Sequence, residues 1–203
     1  MTDAKRSRRL AAIRNRDADR FEASLGGLPK PVRRPALVIL IGLPGSGKSH
    51  FARHLAKRYP AAVLDSDALR DSLYESPQHT AQENARLFPA IQVLTRRLLE
   101  RSVPVLLDAT NLKEANRKPL YRLAKEAGAR LVIVRLRAPF AVMRARLAER
   151  DAARDPLDRS TAGLRVLERM RGDYQRPRRP YFVVDTSKDS RQVLDKIVAL
   201  LQS

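Results

Sequence analysis

Residues Gly42-Leu43-Pro44-Gly45-Ser46-Gly47-Lys48-Ser49 satisfy the pattern G-x-x-x-x-G-K-[ST] in full, and no other stretch constrains the chain so tightly. The six residues before it, Ala-Leu-Val-Ile-Leu-Ile at 36–41, form an unbroken apolar run bounded by Pro35 and Gly42. Such a run predicts a strand buried on both faces of a parallel sheet. The glycines let successive backbone N–H groups turn inward around an anion without side chains in the way. A helix starting at Lys48 would aim the positive end of its dipole at the same anion. Lys48 can reach β- and γ-phosphates, and the Ser49 hydroxyl suits Mg²⁺. The expected ligand of residues 42–50, His50 included, is therefore ATP or another nucleoside triphosphate with Mg²⁺.

The rest of the chain alternates strand and helix signals. Strands are predicted at 62–64, 103–107, 131–136 and 182–184, and helices at 48–59, 67–74, 81–101, 113–127, 140–154, 161–174 and 190–201. Leu87, Ile91, Leu94 and Leu98 recur at helical spacing, and Gly128 supplies a helix stop. This alternation predicts a five-stranded parallel α/β sheet with helices on both faces. Ligands of such sheets bind at the carboxyl ends of the strands, so polar residues after each strand are the first candidates for chemistry.

The second strand runs into Asp65-Ser66-Asp67-Ala68-Leu69-Arg70. Asp67 and Arg70 are one helical turn apart. A carboxylate beside an attacking hydroxyl can take its proton, and Arg70 could hold Asp67 or an anionic group on the acceptor. The plainer role for such residues is an N-cap with an i,i+3 ion pair. The third strand ends in Asp108-Ala109-Thr110-Asn111; an apolar strand closing on Asp is the arrangement that holds Mg²⁺ directly or through water. Thr110 and Asn111 could cap the next helix, and Arg117 reads as a solvated residue. Arg144, Arg146, Arg150, Arg154 and Arg159 crowd a later helix and its end. Arg146 and Arg150 share a face, where like charges repel unless an anion lies between them. An Arg-rich lid closing over triphosphate would supply that anion and stabilise transition-state charge. His50 and His54 have metal-pair spacing without a third ligand, and His79 is isolated.

Together these residues resemble the small P-loop kinases that include the kinase domain of phage polynucleotide kinase, zeta-type toxins, gluconate kinases and chloramphenicol phosphotransferase. The resemblance rests on residues 42–49, D-x-x-R at Asp67 and Arg70, D-x-T-N at Asp108–Asn111, R-x-x-x-R at Arg146 and Arg150, and Asp185-Thr186-Ser187 after the last strand. It covers residues 36–203 and implies a P-loop kinase fold with a lid over about 139–180. Carried over by position from polynucleotide kinase, it implies Asp67 as general base, Arg70 as acceptor clamp, and Arg146 and Arg150 as lid arginines. The implied reaction is transfer of the γ-phosphate to a hydroxyl, with a polynucleotide 5′-hydroxyl favoured. A small metabolite, sugar nucleotide or antibiotic is the alternative acceptor. A nucleotide-dependent nucleic-acid-binding protein is the non-enzymatic alternative, against which Asp67 speaks.

Composition narrows the partners. The chain has 41 Lys+Arg and 22 Asp+Glu, a formal charge of +19, which favours polyanions. Hydrophobic residues at 43% suffice for a packed core in this 203-residue chain. There is no Cys, hence no disulfide and no thiolate metal site. No apolar run approaches a membrane span and no apolar segment follows the charged start, so a cytoplasmic protein without a membrane partner is expected. Residues 1–35 carry ten Lys/Arg and four acids. Gly26-Gly27 and Pro29, Pro31 and Pro35 close this stretch, which reads as a basic, charged-helix arm and linker outside the core.

Overall fold

The computed structural model describes residues 3–154 and 162–203; Arg159 and the predicted start of a helix at Thr161 lie outside the described residues. Eight helices and five strands appear among them: α1 Asp3–Ser24, β1 Ala36–Ile41, α2 Lys48–Arg58, β2 Ala62–Asp65, α3 Ser66–Asp71, α4 Ala81–Glu100, β3 Val105–Asp108, α5 Glu114–Glu126, β4 Arg130–Arg137, α6 Phe140–Arg154, α7 Ala162–Met170, β5 Phe182–Asp185 and α8 Arg191–Gln202. A 3-10 turn, Arg171–Asp173, follows α7, where the sequence predicts α-helix continuing to 174. The strands form one parallel sheet in the order β2-β3-β1-β4-β5. The register of the last pair sets Val134 against Phe182 and Arg137 against Asp185.

The central position of β1 explains its composition. Flanked by β3 and β4, it has no polar face, and all six of its residues are buried. The sequence-predicted strands and helices are all present among the described residues, most with ends displaced by no more than two residues; α3 stops three residues short of the predicted end, at Asp71, and α7 four short, at Met170. The α/β P-loop kinase fold is as expected.

The chain divides into two compact units, Met1–Leu37 with Pro60–Leu107 and Pro119–Leu131, and Val38–Tyr59 with Asp108–Lys118 and Val132–Ser203. In the first, α4 is the organising element. Leu87, Ile91, Leu94 and Leu98 form its buried stripe, in agreement with their helical spacing. Thr80 caps it by accepting from the Glu83 N–H at 3.2 Å, while the Glu83 carboxylate accepts from the N–H groups of Gln78 and His79, each at 2.8 Å. This reciprocal exchange satisfies donors that the helix start would leave without partners.

α1 departs from the reading of an arm outside the core. It lies along α4, with Ala18 and Phe21 both 0% exposed. Asp17, itself buried, accepts two parallel hydrogen bonds from Arg86, at 2.7 and 2.8 Å. Arg97 reaches Asp19 at 2.5 Å and Asn15 at 2.9 Å, and Arg101 pairs with Glu22. Net charge hides this arrangement, because the acids of α1 are spaced to meet arginines on a helix 60 residues away or more.

In the second unit, Met143, Leu147 and Leu167 form a small core that joins α6 to α7, with Leu43 of the glycine-rich loop packed against it. No helix among the described residues is long and apolar enough to cross a membrane.

Candidate functional site

The glycine-rich loop leaves β1 at Gly42 and enters α2 at Lys48. Gly45 and Gly47 have φ of 75° and 84°, a region that side-chain-bearing residues rarely occupy. Space is as restrictive as torsion at Gly45, since a Cβ there would sit 2.6 Å from the Met143 carbonyl oxygen. Gly42 is equally confined: a Cβ would lie 2.4 Å from Ser46 Oγ and 2.7 Å from the Leu136 carbonyl oxygen. The loop is thus pinned between β4 and α6 in a form that only glycine permits.

The start of α2 is a receptor for negative charge. Gly47 is its N-cap and contributes no side-chain cap, leaving the first-turn N–H groups to an external acceptor. Lys48 Nζ donates to the Leu43 carbonyl at 3.1 Å, so its ammonium lies across the loop. The Ser46 hydroxyl is buried in the loop with no hydrogen-bond partner among the described residues, and a buried hydroxyl in that state suits a polar ligand. Ser49 and His50 are exposed on the first turn. His50 sits 4.4 Å from His54 between ring centroids. Its pKa is lowered below 6.5, first by burial and then by electrostatic repulsion from His54, Arg53 and Arg146. Among the described residues no cluster of three His, Cys, Asp or Glu could hold a metal.

A second segment is built against this loop. Asp108 is buried at the carboxyl end of β3. The Gly42 N–H donates to the Thr110 carbonyl at 3.1 Å, and Asn111 Nδ2 donates to the Leu40 carbonyl at 2.9 Å. Asn111 takes φ of 45°, a left-handed conformation Asn tolerates better than most residues. Its expected role as a helix cap gives way to one of tying the turn after β3 to β1. Hard divalent cations accept carboxylate and hydroxyl oxygens, with phosphate and water completing the shell. The Ser49 hydroxyl and the Asp108 carboxylate are donors of that kind and fit Mg²⁺.

Arg117 corrects the sequence reading most sharply. Expected to be solvated, it is 0% exposed. Its guanidinium donates to Glu114 Oε2 at 2.9 and 2.7 Å, to the carbonyls of Asn111 and Leu112 at 2.6 and 2.7 Å, and to the Gln175 carbonyl at 2.7 Å. The Gln175 N–H returns to Leu112 O at 3.0 Å, and its side chain accepts from the Glu114 N–H at 2.8 Å. The turn after β3 and the segment after the 3-10 turn are thereby one hydrogen-bonded assembly. Beyond it, the Arg135 guanidinium lies 4.0 Å from the Tyr174 ring centroid. The Glu114-x-x-Arg117 spacing was readable as an ion pair; the three carbonyl acceptors were not.

Arg146 projects from α6 to the loop. It donates to the Gly45 carbonyl at 3.3 Å, and to Thr186 Oγ1 and O, each at 2.8 Å. Thr186 Oγ1 donates onward to the Ser46 carbonyl at 3.0 Å. Arg146 therefore braces the loop against the turn after β5. Arg150, one turn further along α6, is exposed.

In the first unit, Asp65 ends β2 and caps α3, accepting from the Asp67 N–H at 2.9 Å and the Ala68 N–H at 3.4 Å. Asp67 and Arg70 do not pair. The Asp67 side chain is 72% exposed, with His79 Nδ1 4.0 Å away. Arg70 is 4% exposed and is held by Glu83 at 3.0 Å and Asn84 Oδ1 at 2.7 Å. The spacing that suggested a shared face instead places one residue outward and the other into the packing of α3 on α4.

Comparison with known proteins agrees with this architecture. An adenylyl-sulfate kinase of Myxococcus xanthus is 34% identical over 111 residues, 53% of this chain and 60% of that protein. An L-seryl-tRNA(Sec) kinase of Methanococcus maripaludis is 30% identical over 116 residues, 56% of this chain and 46% of its own length. The chain thus spans about half to three-fifths of these curated relatives. The Mycobacterium tuberculosis APS kinase CysC, solved with AMPPNP and APS, superposes with a TM-score of 0.60 at 21% identity, over 86% of this chain and all of that one. At that identity the likeness shows the fold. The family model described as an AAA domain matches residues 37–177, from β1 through the segment Arg117 holds. The chain belongs to that AAA-domain family of P-loop proteins.

Proposed function

We propose that this protein is an ATP-dependent kinase that transfers the γ-phosphate to a hydroxyl of an anionic, nucleotide-bearing acceptor. The observation that carries the reading is the cradle: two left-handed glycines, an N-terminus of α2 without a side-chain cap, and Lys48 lying across the loop. Similarity to relatives named for adenylyl sulfate and for a seryl-tRNA supports this acceptor class, and a charge of +19 agrees with an anionic acceptor. A polynucleotide 5′-hydroxyl remains one member of that class, adenylyl sulfate another.

Each residue then has a distinct task. The backbone N–H groups of residues 45 and 47–49 bind the phosphate chain, while that of Ser46 closes the loop on Leu43 O at 3.1 Å, and Lys48 swings from Leu43 O to the transferring group. Ser49 and Asp108 would hold Mg²⁺, which supplies neutralisation of phosphate charge when bound. Arg146 keeps Gly45 and Thr186 in place, and Arg150 contributes positive charge from the lid. Asp67 takes the proton of the acceptor hydroxyl as its oxygen bonds to phosphorus and the bond to the ADP oxygen breaks. Arg70 acts indirectly, anchoring the helix that carries Asp67.

The test is turnover of γ-labelled ATP against a panel containing adenylyl sulfate, a 5′-hydroxyl oligonucleotide, a seryl-tRNA and gluconate, with wild type and Lys48→Ala. The expected result is label on a nucleotide-bearing acceptor and none with Lys48→Ala. Unchanged transfer by a folded Lys48→Ala protein refutes the kinase reading, and transfer to gluconate alone refutes the acceptor class.

A further inference from the structure

We infer that the outward face of α1 is a nucleic-acid-binding surface, separate from the phosphate cradle. The helix has 22 residues and is thus about 33 Å long. At about 100° per residue, Lys5, Arg9, Arg16 and Arg20 fall within an arc of about 60°, a single stripe spanning about 22 Å. The residues that dock the helix, Asp17, Ala18 and Phe21, occupy a different face.

Charge on the helix is segregated rather than balanced. Each acid of its second half is held by an arginine of α4: Asp17 by Arg86, Asp19 by Arg97 and Glu22 by Arg101. The four stripe cations are exposed, and none pairs with a carboxylate among the described residues. Lys5 and Arg9, like Arg16 and Arg20, stand at i,i+4, where like charges destabilise a helix by a few tenths of a kcal/mol each. Folding α1 onto α4 therefore concentrates positive charge instead of dispersing it, and a polyanion laid along the stripe would relieve it. α1 also precedes the segment matched by the family model, which begins at residue 37, so it is not part of the matched domain.

The stripe fits a phosphodiester backbone better than a lipid surface. A helix that lies in a membrane interface needs an apolar face to insert. On α1 that face is occupied: Phe21 and Ala18 are 0% exposed against the rest of the first unit. The stripe itself carries no large apolar residue, and the helix's one exposed large hydrophobic, Leu10, lies off the stripe. What remains outward is charge on a rigid rod, which recognises phosphates without reading bases.

The experiment measures binding of a short labelled oligonucleotide, single-stranded and duplex, across a salt series and without ATP, so that it stands apart from any failure of the kinase reading. Three proteins are compared: wild type, the stripe variant Lys5→Gln/Arg9→Gln/Arg16→Gln/Arg20→Gln, and a control with the same loss of charge on other exposed cations, Lys57→Gln/Lys118→Gln/Arg122→Gln/Lys125→Gln. Each neutralised phosphate adds about 0.7 to the log–log salt slope for single strands and about 0.9 for duplex. The stripe variant should therefore lose about 3 units of slope while the control loses less than about 1. Helicity by circular dichroism should be unchanged; should the quadruple variant unfold, Lys5→Gln/Arg9→Gln should still lose about 1.5 units. Equal losses in stripe and control, no loss in either, or tighter binding of phosphatidylserine vesicles than of oligonucleotide overturns the inference.

Discussion

Replacing Arg117 with Ala should destabilise the protein more than replacing any exposed arginine, and the structure sets the size of the effect. The side chain is 0% exposed and donates to one carboxylate and three backbone carbonyls. Glu114, whose side chain is 11% exposed, would keep its charge with its guanidinium gone. Breaking a buried pair from one side costs about 3–5 kcal/mol, because the remaining charge is not solvated. For a chain of about 200 residues each kcal/mol moves Tm by about 2–4 °C, so Arg117→Ala should lower Tm by roughly 6–20 °C. Arg117→Lys should lose most of that, since an ammonium is one compact charge and cannot span five acceptor contacts. Adding Glu114→Leu to Arg117→Met should recover part of the loss, because no buried charge is then left without its partner. Thermal unfolding followed by circular dichroism reads all four proteins. A Tm within about 2 °C of wild type for Arg117→Ala would refute the account, and no recovery in the double variant would mean that the carbonyl contacts, not the ion pair, dominate.

Asp67→Asn keeps size and polarity but removes basicity. It should lower kcat by at least about 10²-fold with ATP affinity nearly unchanged, as measured by initial rates and nucleotide titration; a change of only a few-fold reduces Asp67 to a surface residue beside the α3 cap. Glu83 is pushed up by burial but pulled further down by the Gln78 N–H, Arg70 and the His79 N–H, leaving its pKa below 4.5. Its stabilising contribution is therefore fully present above that ordinary value and lost as pH falls through the lowered one, so Glu83→Gln should flatten the acid limb of a stability–pH profile. An unaltered limb would assign the acid sensitivity to other carboxylates.

Much of this architecture is legible before folding because the relevant signals are local. The run at 36–41, the glycine pattern at 42–49 and the 3.6-residue spacing of Leu87, Ile91, Leu94 and Leu98 each act within one element or between neighbours. The misread features are those whose partners are remote. Asp17, Asp19 and Glu22 look like acids diluting a basic arm until Arg86, Arg97 and Arg101 are brought alongside. Arg70 looks available for a ligand until Glu83 and Asn84 reach it across the 72–80 loop. Arg117 is the extreme case, because its acceptors are mostly backbone carbonyls, which leave no residue-type signature. Charged residues are therefore the ones whose fate a sequence states least well: the same guanidinium serves a ligand, a turn or a helix interface, according to what the topology delivers to it.

His50 offers a direct reading of what the cradle is for. Burial holds its pKa below 6.5, and His54, Arg53 and Arg146 lower it further by electrostatic repulsion of the protonated ring. A helix N-terminus adds positive potential in the same place. All of these disfavour one more proton, and a triphosphate seated on the first turn of α2 would reverse the balance by adding negative charge beside it. The His50 pKa should consequently rise when a nucleoside triphosphate binds. By linkage, nucleotide binding should then take up protons and tighten as pH falls through the two His50 values. With three histidines in the chain, the ring-proton resonances can be assigned by His50→Gln, His54→Gln and His79→Gln variants and titrated with and without a non-hydrolysable ATP analogue. An upward shift at His50, absent in Lys48→Ala and much smaller at His79, is the expected result. A His50 titration indifferent to saturating nucleotide would mean that no polyphosphate sits at the start of α2, and the glycine loop would need another ligand.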